Sequence, residues 1–74
     1  MDRKYELLLG KNIKAIRESR HLTQEAVVTQ LQLQGCDLTR SALAKIEVGQ
    51  RHIYPDEIRS LKNVFNVSYD ELLP

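Results

Sequence analysis

The chain has 74 residues, enough for one small domain, and its 42% hydrophobic and 28% charged content suits a folded globule rather than a disordered segment. No apolar run approaches the roughly 18 residues of a membrane span, and the one cysteine, Cys36, excludes an internal disulfide. The net charge of +1 excludes nothing by itself, but its distribution is uneven: residues 1–52 carry nine Lys/Arg against six Asp/Glu, while residues 53–74 carry two against four. The first two-thirds is therefore the side suited to phosphates, although the same balance fits an ordinary solvated surface. Met1-Asp2-Arg3-Lys4-Tyr5-Glu6 contains no apolar signal core, so the expectation is a cytoplasmic protein without a membrane anchor.

The expected elements are all helical. Asp2 is suited to cap a first helix running to about Arg20, with Leu9, Ile13 and Ile16 at i, i+4 and i+7 on its apolar face. Gly10 interrupts that face at a cost of about 1 kcal/mol relative to Ala. Such a glycine marks either the close approach of another helix or a nearby true helix start. Thr23 caps a second helix, Gln24 to about Gln34, in which Val27, Val28 and Leu31 point inward and after which Gly35 is a natural stop. Thr39 caps a third, Arg40 to Val48, ended by Gly49. Pro55 suits the first position of a fourth helix, where Asp56 and Glu57 complement the positive helix end. Its inner face is Ile58, Leu61, Val64 and Phe65. Ser68 and Glu71 form a capping box for a last short helix. Leu22/Val27, Leu38/Leu43 and Val67/Leu72 stand at the positions of hydrophobic staples around the three capping hydroxyls.

The third helix has two faces. At about 100° per residue from Arg40, Ala42, Leu43 and Ile46 fall near about 200°, 300° and 240°, on one side. Arg40, Ser41, Ala44 and Lys45 fall near about 0°, 100°, 40° and 140°, on the opposite side, which is narrow and basic. An α-helix fits the DNA major groove, where Arg and Lys donate to guanine acceptors and Ser donates or accepts. A solvated surface helix would show the same pattern. Thr39 stands where it can reach a phosphate or a base edge. Gln24 sits at a helix N-terminus, a ready anion site, and Gln50, Arg51 and His52 follow the third helix where they can grip a backbone or form a polar loop.

Other chemistries find little support. Cys36, His21 and His52 match no zinc spacing, Asp56-Glu57 and Asp70-Glu71 are explained by helix dipoles and caps, and no phosphate loop or nucleophile motif is present. Neither a metal nor a cofactor is expected, nor an enzymatic activity. Tyr69, Leu72 and Leu73 either close the core or leave a patch for a second copy.

The run Gly10, Ile13, Ile16-Arg17, Leu22-Thr23-Gln24-Glu25 and Leu43-Ala44-Lys45-Ile46-Glu47-Val48-Gly49-Gln50-Arg51, with the tail Val64-Phe65-Asn66-Val67-Ser68-Tyr69-Asp70-Glu71-Leu72-Leu73, resembles the phage repressor, Cro and Xre-type helix-turn-helix regulators. The resemblance spans about residues 8–73. It implies an all-α, compact five-helix domain of the lambda-repressor-like type; the length and the lack of a linker make residues 1–74 a single expected domain. It implies double-stranded DNA as partner, base contacts from Arg40, Ser41 and Lys45, and a phosphate contact from Gln24. Thr39, Gln50 and Arg51 complete the phosphate set by position. It further implies a structural pair between Arg17 and Glu47 and a homodimer on DNA acting as a transcriptional regulator, in the first place a repressor. The alternative is a protein-interaction module, such as an antitoxin or adaptor, built on the same fold around a protein partner. Two features depart from the family. Leu33-Gln34-Gly35-Cys36-Asp37-Leu38 makes the turn between helices two and three longer than usual, which either lengthens helix two or bulges the turn. Val28 stands where the family favours Ala.

Overall fold

A computed structural model describes residues 2–74; Met1, the first residue of the expected domain, lies outside the described residues. Five helices follow in order: α1 Arg3–Ser19, α2 Gln24–Leu33, α3 Arg40–Glu47, α4 Pro55–Phe65 and α5 Tyr69–Leu72. Among the described residues there is no strand, and no helix is long and apolar enough to cross a membrane.

Local chemistry starts each helix. The Asp2 carboxylate accepts from the Lys4 N–H at 2.7 Å. Thr23 and Thr39 Oγ1 accept from Ala26 and Ala42 N–H at 3.0 and 3.1 Å. Ser68 and Glu71 form their reciprocal box. Each of these bonds satisfies a backbone donor that a helix leaves open at its first turn. At α4, Pro55 supplies the fixed first φ, and the Tyr54 N–H donates to the Glu57 carboxylate at 3.0 Å.

Four helices end in one way. After α2, the Cys36 N–H reaches the Leu31 carbonyl and the Gly35 N–H that of Gln32, with Gly35 at φ +80. Gln50 and Gly49 repeat this after α3, Leu22 and His21 after α1, and Val67 and Asn66 after α4. All four are Schellman turns, which require a left-handed residue just past the helix. Glycine fills that place twice; His21 at φ 55 and Asn66 at φ 54 fill it twice. A side chain at positive φ costs about 1–2 kcal/mol, which the surrounding bonds offset.

The turn therefore stops α2 at Leu33, so the longer α2–α3 connection does not extend the helix. Residues 34–39 form a bulged link instead, and its Leu38 is buried in the core. Helix α3 likewise stops one residue short of the expected Val48, which is a half-exposed cap. Leu9, Ile13, Val27, Leu31, Leu38, Leu43, Ile46, Leu61, Phe65 and Leu72 fill the core. Ile16, Ile58 and Val64 lie at its edge rather than inside it. Leu72 belongs to this core and cannot serve a second copy.

Gly10 lies within an unbroken α1, which settles its two readings. A Cβ there would overlap the Ile46 carbonyl oxygen and crowd the Glu47 backbone at 3.2 Å. Backbone meets backbone at this crossing, so α3 rests directly on α1. Gly10→Ala gains about 1 kcal/mol in helix propensity and loses more to the overlap, because neither backbone can yield cheaply. Chemical denaturation is expected to show a net loss of about 2 kcal/mol or more. His21→Gly removes positive-φ strain and is expected to raise stability by up to about 1 kcal/mol in the same assay.

Candidate nucleic-acid interface

The outer side of α3 carries Arg40, Ser41 and Lys45, all exposed, with the half-buried Ala44 between them. Among the described residues none of the three has a side-chain hydrogen bond or ion pair. On its inner side Leu43 and Ile46 are buried, so the helix cannot rotate without exposing them. Thr39 is exposed at the start of the same helix, its oxygen capping Ala42 and its hydroxyl hydrogen uncommitted.

The far end of α3 is held by a buried cluster. Glu47, 3% exposed, accepts from Arg17 Nε at 2.7 Å on Oε2 and from Arg17 Nη2 at 3.0 Å on Oε1. Gln24 Nε2 donates to the same Oε1 at 3.0 Å, and Arg17 Nη1 donates to the Leu22 carbonyl at 2.8 Å. The end of α1, the start of α2 and the end of α3 are thereby tied at one carboxylate. The bond to Glu47 raises the Arg17 pKa further above its ordinary range, against the effect of burial. Gln24 thus spends one amide hydrogen on Glu47; among the described residues its carbonyl oxygen and second hydrogen have no partner.

Beyond α3, Gln50 is exposed. Arg51 is not free: Nη1 and Nη2 donate to the two Glu57 oxygens at 2.9 and 3.1 Å, Nη1 also reaches the His52 carbonyl at 2.8 Å, and the guanidinium lies 5.8 Å from the Tyr54 ring centre. Its charge braces the loop between α3 and α4 and is largely neutralised there. Burial pushes the Glu57 carboxyl up, but the bonds from Arg51 and from the Tyr54 N–H outweigh it and hold the group below the usual carboxylate range.

One buried group escaped the reading of the sequence. Glu6 is 7% exposed, and its carboxylate accepts from His52 Nδ1 at 2.8 and 2.9 Å. The His52 bond holds Glu6 below the usual range despite burial. The signal was available: Glu6 shares the side of α1 that buries Leu9 and Ile13, and a carboxylate on an apolar stripe requires a partner. A groove of about 400 Å³ runs beside this pair, lined by Arg3, Gln50, Arg51 and Tyr54 among others.

These contacts set two expectations. Arg17→Met leaves Glu47 buried with one donor and is expected to cost about 3–5 kcal/mol in denaturant unfolding, whereas Arg17→Met with Glu47→Leu recovers most of the loss. Glu6 and Glu57 both have folded pKa values below the ordinary 4.5. The unfolded chain then binds more protons just below that pH, so stability present above 4.5 is lost as pH falls through the folded values. A thermal midpoint that drops on acidification from about pH 5 to about pH 3, less so in Glu6→Gln, is expected.

No curated protein matches the chain. The crystal structure of the DNA-binding domain of BldD superposes on it with a TM-score of 0.82 over 100% of both chains, at 24% identity, which carries the five-helix fold. A model described as a helix-turn-helix domain matches residues 10–74. The chain belongs to the helix-turn-helix domain family.

Proposed function

We propose that the chain is a sequence-specific, DNA-binding transcriptional regulator, acting as a repressor, that inserts α3 into the major groove. One observation carries the reading: Arg40, Ser41 and Lys45 form an exposed face without partners among the described residues, on a helix whose other side is locked into the core. Uncommitted donors on a rigid support suit base-edge recognition, because little side-chain order is lost elsewhere on binding. The likeness to a domain named for DNA binding supports the same reading.

Arg40, Ser41 and Lys45 are assigned to base edges. Gln24, through its free amide groups, Thr39, through its hydroxyl hydrogen, and Gln50 are assigned to phosphates. Arg51 enters this set through the loop it braces, with a weaker pull on phosphate because Glu57 neutralises it. Occupying the site is sufficient for repression, since a bound domain excludes other proteins from the same groove. Tyr69, 43% exposed, and the half-buried Leu73 provide the contact for a second copy, which would place two α3 helices on half-sites about 34 Å apart. A single domain over residues 1–74, working in the cytoplasm without enzymatic activity, completes the proposal.

Selection from a random duplex pool followed by titration at two salt concentrations tests it. The expected outcome is an enriched motif bound with a steep salt dependence. Arg40→Ala is expected to cost about 1–3 kcal/mol on that motif and to relax preference at one base pair, with little change on unrelated duplex. No enriched motif and salt-insensitive binding would refute the reading.

A further inference from the structure

The outer face of α1 takes no part in the interface described so far. Placing Arg3 at 0° on the helix, the buried Glu6, Leu9, Gly10, Ile13 and Arg17 span about 240° to 340°. The opposite stripe holds Lys4, Leu8, Lys11 and Ala15 at about 80° to 140°. Leu7 and Lys14 lie on the flank toward α3. Leu8 is 48% exposed and Leu7 37%. Leu7 also borders α3's end: a Cβ added at Gly49 would stand 2.8 Å from its Cδ1. The residue before Gly49 is Val48, 51% exposed.

Three of the six exposed large hydrophobics of the described residues thus lie on the outer side of α1, Leu7 and Leu8, and at the end of α3 that Leu7 borders, Val48. The lysines around them, Lys4, Lys11, Lys14 and Lys45, are exposed, and among the described residues they have no acidic partner. Glu18 is the one carboxylate on this outer face of α1. Single exposed hydrophobics need no explanation, but a clustered set rimmed mainly by lysines is a docking pattern.

We propose that this corner is a docking site for an acidic amphipathic protein segment, with apolar side chains seated on Leu7, Leu8 and Val48 and carboxylates facing Lys4, Lys11 and Lys14. The occupant is acidic because the rim carries Lys4, Lys11 and Lys14 against the single carboxylate Glu18, and it is amphipathic because the leucines interrupt the lysines at helical spacing. Lys45 and Val48 lie at the junction with the DNA-reading face, so a bound segment crowds the space that a duplex would fill. The docking claim stands without the DNA reading; the competition claim rests on it.

The probe is a synthetic helical peptide of about four turns with glutamates on one face and leucines on the other. Its control is a peptide of the same composition with the leucines dispersed. Fluorescence anisotropy is expected to show the amphipathic peptide binding at least about tenfold more tightly than the control. NMR shift changes in 15N-labelled protein are expected on α1 and Val48. Leu8→Ser and Lys11→Glu, both at exposed positions and expected to fold normally, should each weaken the peptide about tenfold. Equal binding of the two peptides would reduce the site to non-specific charge attraction and overturn the proposal. So would shift changes elsewhere on the surface. A Lys11→Glu variant that lowers the salt slope of DNA binding by about one charge would instead make this face part of the DNA contact and overturn it as well. On the motif-bearing duplex, the peptide is expected to raise the apparent Kd; a motif bound equally well with and without peptide would overturn the competition while leaving the DNA reading intact.

Discussion

Glu47 is a carboxylate 3% exposed to solvent, with two oxygens that accept from three donors on α1 and α2. A charge in that position is tolerated only if its partners are in place, since removing one leaves a penalty of several kcal/mol. The presentation of α3 follows from this requirement. Arg17 must approach from α1, Gln24 from the first turn of α2, and Glu47 from the last turn of α3, so the three helices have little freedom to pivot about one another. Arg17 also holds the Leu22 carbonyl, which fixes the chain just before α2 begins. The helix-turn-helix unit is thus anchored at the end of α3 remote from Arg40.

Gly10 supplies the second constraint at the same place. The cluster sits beside the point where α1 and α3 touch backbone to backbone, and any side chain there would lift α3 off α1. A displaced α3 would stretch the 2.7 Å bond between Arg17 and Glu47. Close packing and the buried charge therefore reinforce each other. A rigid inner side allows the outer side to be built from exposed Arg, Ser and Lys, which contribute little to stability and are free to contact a ligand.

Much of this was legible in the sequence because it is local. Thr23, Thr39 and Ser68 mark helix starts through a hydroxyl that accepts from a backbone N–H two or three residues later, and Gly35 and Gly49 mark stops through positive φ. The division of α3 into Leu43 and Ile46 against Arg40, Ser41 and Lys45 follows from a 3.6-residue period. What sequence could not separate were the two readings of Gly10, because a close crossing is a property of two segments. The Gln24–Glu47 and Arg51–Glu57 contacts were hidden for the same reason: they join distant or non-periodic positions. His21 and Asn66 gave no clear sign of ending α1 and α4, since neither residue type requires a left-handed conformation. The longer link before α3 bulges because Gly35 closes a turn at positive φ and Leu38 reaches the core, a long-range contact that local patterns do not encode.

We propose base reading by the outer face of an α3 whose inner side is locked into the core. Intermolecular NOEs between 15N,13C-labelled protein and its selected duplex test it most directly. Contacts from the Arg40, Ser41 and Lys45 side chains to major-groove base protons, absent with an unrelated duplex, are the expected result. Contacts confined to α1 or α5, with the α3 side chains unchanged from the free protein, would contradict it.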